Sequence, residues 1–140
     1  MNMEIFSQLN WLAVLVSAIA YFILGAIWYS KVLFANKWVQ SHGINTSDPN
    51  LRKGMGMLML TSFILMLIST IGLALLIVRL DLRETVSGVK IGLATGVCFA
   101  FTAVSIAYLY QKKPFAAHII DAGYHIVGYI LAAIILCMWR

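Results

Sequence analysis

Apolar side chains in this chain are concentrated in four long runs, and polar side chains gather in the stretches between them. The runs extend over residues 10–29, 54–78, 85–110 and 114–138. A bilayer core about 30 Å thick requires about 20 apolar residues in a helix, and each run reaches that length. The runs show none of the alternation typical of a membrane barrel, so the pattern predicts four membrane-spanning helices.

The connections between the runs predict how the helices are arranged. Residues 79–84 and 111–113 are too few for anything but tight turns, so the helices they join must be antiparallel neighbours. The predicted fold class is therefore all-α: a polytopic membrane protein whose residues 1–140 form one antiparallel bundle of four transmembrane helices.

One connection, residues 30–53, is long enough to contain structure of its own. Phe34 and Trp38 lie one helical turn apart in it, among lysine residues. Aromatic rings beside cations are typical of segments that lie among lipid headgroups. We expect an interfacial segment after the first helix, with these two rings as its anchors.

Composition and charge sharpen this interpretation. The chain is 62% apolar and 11% charged, and its mean hydropathy is +0.92, which excludes a soluble enzyme, a secreted disulfide scaffold and a nucleic-acid reader. The expected partner is the lipid bilayer, not nucleic acid.

Six cations lie in the first and third connections, against four on the other side, of which one is Arg140. By the positive-inside rule we expect residues 30–53 and 111–113 to be cytoplasmic and both termini outside.

The third run contains a ladder of small residues at every fourth position. Its members are Gly88, Gly92, Gly96 and Ala100. Such a stripe lets two helices in lipid approach closely. The contact lies either within the chain or between subunits. Because a four-helix chain has little room for an interior of its own, we expect self-association through the third span and a homo-oligomer.

The fourth run contains titratable residues that share one helical face. His118, Asp121 and His125 are spaced i, i+3 and i+7, within an arc of about 60°. They descend from the Lys112–Lys113 end toward the bilayer centre. A carboxylate in hydrocarbon is costly, so we expect Asp121 to face protein or water, in contact with His118 or His125 and near Tyr21. The spacing allows a proton or cation relay, a hydrogen-bonded lock of the bundle by Asp121, or a metal site. A metal needs more ligands than this depth offers, so we expect neither metal nor cofactor.

The first run supplies neighbours for this polar ladder. Ser17, Tyr21 and Trp28 fall along one stripe, with Gly25 allowing close approach. Tyr21 should lie level with His125, and Trp28 and Tyr29 level with His118. The complete predicted intramembrane cluster is Ser17, Tyr21, Trp28, Tyr29, His118, Asp121, Tyr124 and His125.

Two segments of the chain resemble a known family. NWLAVLVSAIAYFILGAIWYS near the start, and IDAGYHIVGYILAAIIL near the end, resemble the family of domain of unknown function 1761. The resemblance covers the whole chain and is most specific at Asn10-Trp11, Gly25, Trp28-Tyr29 and 121–125. It implies a small four-span membrane protein of a bacterial inner membrane, and it implies no particular activity.

These observations leave three interpretations of function. The first is a homo-oligomer that provides a pathway for protons, small ions or a small solute along the fourth span. The second is a structural or accessory subunit of a membrane complex, without chemistry of its own. The third is a membrane enzyme with a histidine general base. We do not expect an enzyme, because the sequence has no nucleophile beside a base and no phosphate loop.

Overall fold

The structure is a computed structural model, and it describes residues 4–139. Four helices in it are long and apolar enough to cross a membrane: Trp11–Trp28, Met55–Arg79, Thr85–Tyr110 and Phe115–Met138. Their bounds lie within one residue of the predicted runs, and the described chain contains no strand. The predicted all-α class is confirmed, with four helices long and apolar enough to span a membrane.

Seven α-helical segments are labelled here in chain order. They are α1 (Glu4–Ser7), α2 (Trp11–Trp28), α3 (Ala35–His42), α4 (Met55–Arg79), α5 (Thr85–Thr95), α6 (Thr102–Tyr110) and α7 (Phe115–Met138). A π-helical turn, Gly96–Phe101, joins α5 and α6 into the third span, and a short 3-10 turn, Pro49–Arg52, precedes α4.

Local sequence explains where these helices begin and end. The Asn10 side chain caps α2 by accepting a hydrogen bond from the backbone N–H of Ala13 at 3.1 Å. Gly43 ends α3 in the left-handed conformation, which glycine adopts without steric cost. Pro114 stands just before α7, where its missing N–H removes no helical hydrogen bond.

Helix α7 lies at the centre of the bundle and packs against α2, α3, α4 and the whole third span. Its packing on α5 depends on the glycine ladder. A Cβ added at Gly92 would lie 2.5 Å from Ile130 Cα, and one at Gly96 would lie 2.8 Å from Ile126 Cα. Gly88 similarly meets the α7 backbone at Ala133, at 3.0 Å. The backbones of α5 and α7 are therefore in direct contact.

This packing changes the interpretation of the glycine ladder. Of the two alternatives that the sequence allowed, the structure shows the contact within the chain, since α7 already occupies the faces of Gly88, Gly92 and Gly96. Ala100 lies within the π-turn itself and lines a cavity beside α7. Self-association stays a prediction, and it would have to use another surface.

The π-turn is stabilised by the threonine that follows it. Wider turns of this kind weaken the regular hydrogen bonds between successive helical turns. Thr102 Oγ1 donates to the carbonyl oxygens of Cys98 at 2.7 Å and Phe99 at 3.1 Å. These bonds satisfy two carbonyl groups within the turn. The irregular segment is thus supported locally, at the depth where the third span passes the middle of α7.

Candidate functional site: two polar sites along helix α7

The first polar site surrounds Asp121, and we call it the Asp121 site. Four donors reach its carboxylate: Oδ1 accepts from Tyr29 Oη at 2.6 Å and Trp38 Nε1 at 3.0 Å, and Oδ2 accepts from Tyr108 Oη at 2.8 Å. His42 Nε2 lies 3.1 Å from Oδ2. A carboxylate offers about four lone-pair positions, and this one has a donor from the chain for each.

Helix α3 contributes two of these donors, which differs from the expectation for the long connection. We expected Trp38 to anchor this segment among headgroups; instead, its indole N–H turns inward to Asp121. Phe34 packs its ring on Trp28, with centroids 4.9 Å apart. The amphipathic segment therefore covers one end of the bundle, because a buried carboxylate binds it there.

The proton positions on His42 follow from its neighbours. His42 Nδ1 lies 2.9 Å from the carbonyl oxygen of Trp38, which can only accept a hydrogen bond, so Nδ1 carries a proton. Nε2 faces an Asp121 oxygen that also accepts from Tyr108. His42 Nε2 and the carboxylate therefore lie within ion-pair distance of each other. The side chains of this pair are only 12% and 9% exposed.

The phenol of Tyr29 remains a donor in this arrangement. Tyr29 follows the last residue of α2, at the end where α3 covers the bundle. Burial of this phenol, followed by its hydrogen bond to Asp121, raises the pKa of Tyr29 above its ordinary value. The group therefore stays protonated and keeps donating to the carboxylate.

The structure does not join the predicted ladder into one series. We expected Asp121 to contact His118 or His125; among the described residues its hydrogen-bond partners are Tyr29, Trp38, Tyr108 and His42. His118 is 6% exposed and packs its ring against Tyr108, with centroids 5.5 Å apart. The expectation failed because two donors come from α3, which the sequence alone placed among headgroups.

The stripe on α2 does meet α7. Tyr21 Oη and His125 Nδ1 form a hydrogen bond of 2.5 Å. Trp28 Nε1 donates to the carbonyl oxygen of Ile120 at 2.9 Å, and Ser17 Oγ donates to that of Ala132 at 3.5 Å.

Close approach of α2 and α7 surrounds Tyr124 with neighbours. A Cβ at Gly25 would lie 3.0 Å from Tyr124 Oη. That hydroxyl donates to the carbonyl oxygen of Tyr21 at 3.2 Å. The predicted cluster is thus divided between the Asp121 site and a second site around His125.

The second polar site is a cavity of about 320 Å³ beside His125, and we call it the His125 cavity. Helix α4 forms one wall, the π-turn and α6 form the other, and α7 with Tyr21 forms the floor. Its lining residues are Tyr21, Ser62, Leu65, Met66, Ser69, Ala100, Ala103, Val104, His125 and Tyr129. Ligand cavities in proteins commonly have volumes of about 300 to 1,000 Å³.

The mouth of the His125 cavity faces the outside of the bundle. Leu65 on α4 is 61% exposed, and Ala103 on α6 is also exposed, so both walls end at the protein surface. These surfaces belong to helices long enough to span a membrane. The rise of 1.5 Å per residue places Ser62 about 10 Å and Ser69 about 21 Å along α4. The mouth therefore opens at mid-depth of helices long and apolar enough to span a membrane.

Polar groups in the cavity are only partly paired. Ser69 Oγ and Tyr129 Oη hydrogen bond to each other, and His125 Nδ1 bonds to Tyr21. No hydrogen bond to a described residue is formed by His125 Nε2 or Ser62 Oγ. Within residues 4–139 the one fully enclosed side-chain polar atom without a partner is Ser105 Oγ. His125 and Ser62 both line the cavity, and neither His125 Nε2 nor Ser62 Oγ is fully enclosed.

The chemistry of the two sites limits what they could bind. In the described part of the chain, no three His, Cys, Asp or Glu side chains are placed to hold a metal ion. The His125 cavity is lined by no Asp, Glu, Lys or Arg. It suits an uncharged molecule with a few hydrogen-bonding atoms.

Several residues of these sites were missed from the sequence. His42 and Tyr108 bind Asp121, and Ser62, Ser69 and Tyr129 line the cavity, yet none was predicted. A signal for His42 existed: it follows Trp38 by four residues, so both side chains share one face of α3. The hydroxyl groups on α4 carry no such signal, because single serines are common in apolar helices.

The fold and the two polar sites define a class: a small all-helical protein with four helices suited to span a membrane and polar side chains enclosed between them. Within that class, the chain belongs to the family described as Protein of unknown function (DUF1761), whose model matches residues 12–137. The suspected family is thereby confirmed. Searches of curated proteins and of solved structures found no match.

Proposed function

We propose that this protein binds a small, uncharged, lipid-soluble molecule in the His125 cavity, which the molecule reaches sideways from the bilayer. One observation carries the proposal: a cavity of about 320 Å³ at mid-depth whose lining residues include His125 and Ser62, each with a polar atom that has no hydrogen-bond partner among the described residues. Polar atoms facing lipid alone cost free energy, since hydrocarbon provides no hydrogen bond. A ligand with polar atoms of its own would remove that cost.

The absence of charge around the cavity supports an uncharged ligand. An ion at this depth needs a counter-ion or several dipoles directed at it. The carboxylate nearest along α7, Asp121, is occupied by its four donors. Of the sequence-derived alternatives, binding of a small solute therefore has the most geometric support.

The other sequence-derived alternatives stay predictions. A proton pathway along α7 would need Asp121 to exchange hydrogen bonds with His118 or His125. Loss of pH-dependent flux from proteoliposomes on Asp121→Asn substitution would support that pathway. An accessory role in a membrane complex would be supported by a defined partner that co-purifies at fixed ratio.

The proposal is tested by filling the cavity. Ala103→Phe places a ring at the cavity wall, whereas Ala107→Phe places the same ring one turn further along α6, at an exposed position that does not line the cavity. Protein purified from membranes is extracted with organic solvent, and small molecules are quantified by mass spectrometry. We expect one uncharged molecule to be retained by wild type and Ala107→Phe and depleted in Ala103→Phe.

Helicity measured by circular dichroism shows whether each variant is folded. Equal retention of every extracted molecule in the folded Ala103→Phe and Ala107→Phe proteins would contradict binding in the cavity. So would wild-type protein that retains nothing beyond bulk membrane lipid.

A further inference from the structure

The tautomer of His125 follows from the burial of Tyr21. Tyr21 is 2% exposed, and its hydroxyl group has one hydrogen-bond partner among the described residues, His125 Nδ1. If Nδ1 carried the proton, the buried phenolic hydrogen would have no acceptor in the described chain. A buried donor without an acceptor is destabilising. The phenol therefore donates to Nδ1, and the ring proton of a neutral His125 lies on Nε2.

This assignment makes His125 a donor toward the cavity. Nε2 forms no hydrogen bond to a described residue, and His125 is one of the lining residues. Ser62, on the opposite wall, is another lining residue whose hydroxyl group has no hydrogen-bond partner among the described residues. The rise per residue places Ser62 about 10 Å and His125 about 15 Å from the starts of their helices, both of which begin at the same end of the bundle. One ligand could contact both groups.

Apolar side chains occupy the rest of the lining. Leu65, Met66 and Val104 face the cavity together with Ala100 and Ala103. The two alanines leave the space that larger side chains on the π-turn and α6 would fill. Such a wall matches a flat or compact hydrocarbon body rather than a strongly hydrated molecule.

We propose that the His125 cavity selects carbonyl compounds: an uncharged molecule whose carbonyl oxygen accepts a hydrogen bond from His125 Nε2–H while its hydrocarbon part packs on Met66 and Val104. Tyr21 acts through His125 as a positioning residue, since its hydroxyl holds the ring proton on Nε2. This inference rests on the proposed function and adds the chemical class of the ligand.

The test compares two probes of nearly equal shape. 1-Tetralone carries a ketone oxygen, and tetralin is the corresponding hydrocarbon without it. Each is titrated at the same membrane concentration into protein in lipid nanodiscs whose histidine rings are labelled with nitrogen-15. We expect wild type to bind tetralone about fivefold to tenfold more tightly than tetralin, the effect of one buried neutral hydrogen bond. Tetralone, but not tetralin, should shift the His125 Nε2–H resonance.

Variants separate this inference from the proposed function. His125→Leu should remove the preference for tetralone, so that the ratio of the two affinities falls to about one. Tyr21→Phe should lower the preference for tetralone, because Nδ1 and Nε2 then compete for the ring proton. Ala103→Phe should lower the affinity for both probes, because the added ring occupies the cavity.

Each remaining outcome decides between the two proposals. Equal binding of both probes to wild type would leave the cavity as a binding site and overturn the carbonyl inference. So would a tetralone preference that persists in His125→Leu. Failure of wild type to bind either probe would overturn both proposals. If His125→Leu does not fold, the wild-type resonance decides: a shift with tetralone alone supports the inference, and no shift overturns it.

Discussion

Asp121 and His125 lie one helical turn apart on α7, yet their surroundings are opposite. Asp121 has a donor for each lone-pair position of its carboxylate, two of them supplied by α3. Among the described residues His125 has one hydrogen-bond partner, Tyr21, and its ring lines a cavity that opens at the surface of the bundle. A polar group with every position filled fixes the protein's own geometry. A polar group with a position left open can recognise another molecule.

The difference arises from which elements reach α7 at each level. At the Asp121 level, α2, α3 and α6 all contribute side chains, so the carboxylate is enclosed. At the His125 level, α4 and the third span stand apart around the cavity. Of the two groups, a carboxylate costs more free energy to bury without partners than an imidazole ring. The fold therefore encloses Asp121, the group with the larger cost of burial without partners.

Gly92→Leu would disrupt both polar sites and has the largest expected effect on stability. The added side chain begins 2.5 Å from Ile130 Cα, a backbone atom that cannot move aside. We expect loss of more than about 3 kcal/mol, the upper range for overpacking, and poor yield of folded protein. Thermal unfolding in detergent measures the loss. Ala94→Leu, on the exposed face of α5, is the control. A stable Gly92→Leu protein would show that α5 does not pack on α7 as described.

Asp121→Ala should destroy one site and spare the other. Four buried partners would lose the carboxylate they contact, and we expect a loss of about 3–5 kcal/mol in unfolding free energy. Asp121→Asn should lose less, since one acceptor oxygen remains. Reaction of a cysteine introduced at Val39 with a soluble thiol reagent, with the native cysteines replaced, reports release of α3. Unchanged stability and reactivity in Asp121→Ala would contradict the role of the Asp121 site as the attachment of α3.

Two tyrosines near the end of α6 allow the contribution of a single hydroxyl group to the Asp121 site to be measured. Tyr108 donates to Asp121 at 2.8 Å, whereas Tyr110 is 89% exposed. We expect Tyr108→Phe to cost about 1–2 kcal/mol of unfolding free energy, the range for a hydrogen bond to a charged group in a membrane protein. Tyr110→Phe should change it by less than about 0.5 kcal/mol. Equal effects in the same unfolding assay would refute the assignment.

The smallest expected difference in stability is between substitutions of two serines on α4, both of which line the cavity. Ser69 Oγ hydrogen bonds to Tyr129 Oη, whereas Ser62 Oγ has no partner among the described residues. Ser69→Ala should cost about 0.6–1 kcal/mol of stability, and Ser62→Ala should cost nothing measurable. In the tetralone titration only Ser62→Ala should alter affinity without altering stability. A larger stability loss from Ser62→Ala would mean that its hydroxyl group is already paired.

The sequence predicted the four spans and the shared face of the titratable residues, because hydropathy and helical periodicity are local properties. It also placed Tyr21 level with His125, because both depths follow from counting residues. It did not predict the direction of Trp38 and His42, since an amphipathic segment can lie on lipid or on its own bundle with the same pattern. Deciding between these needed the position of Asp121 relative to α3, which only tertiary structure provides.

The His125 cavity was beyond sequence reasoning for a different reason. A cavity forms where side chains fail to pack against each other. In the sequence, an apolar residue such as Leu65 or Val104 reads the same whether it packs on a neighbour or lines a cavity. The π-turn that contains Ala100 was equally hidden. The run of small residues continues through the π-turn without any change in composition.

The π-turn sets the angular phase of everything that follows it in the third span. A regular α-helix turns about 100° per residue, so Tyr108 would lie about 120° around the axis from Gly96. When the π-turn absorbs one residue, that angle falls to about 20°, and Tyr108 shares the side of Gly96 that faces α7. Deleting one residue within 97–101 should therefore leave Tyr108 pointing at Asp121 from an unbroken α-helix. Deleting two residues would rotate Tyr108 away from α7. The number of residues in the π-turn therefore decides which way Tyr108 points.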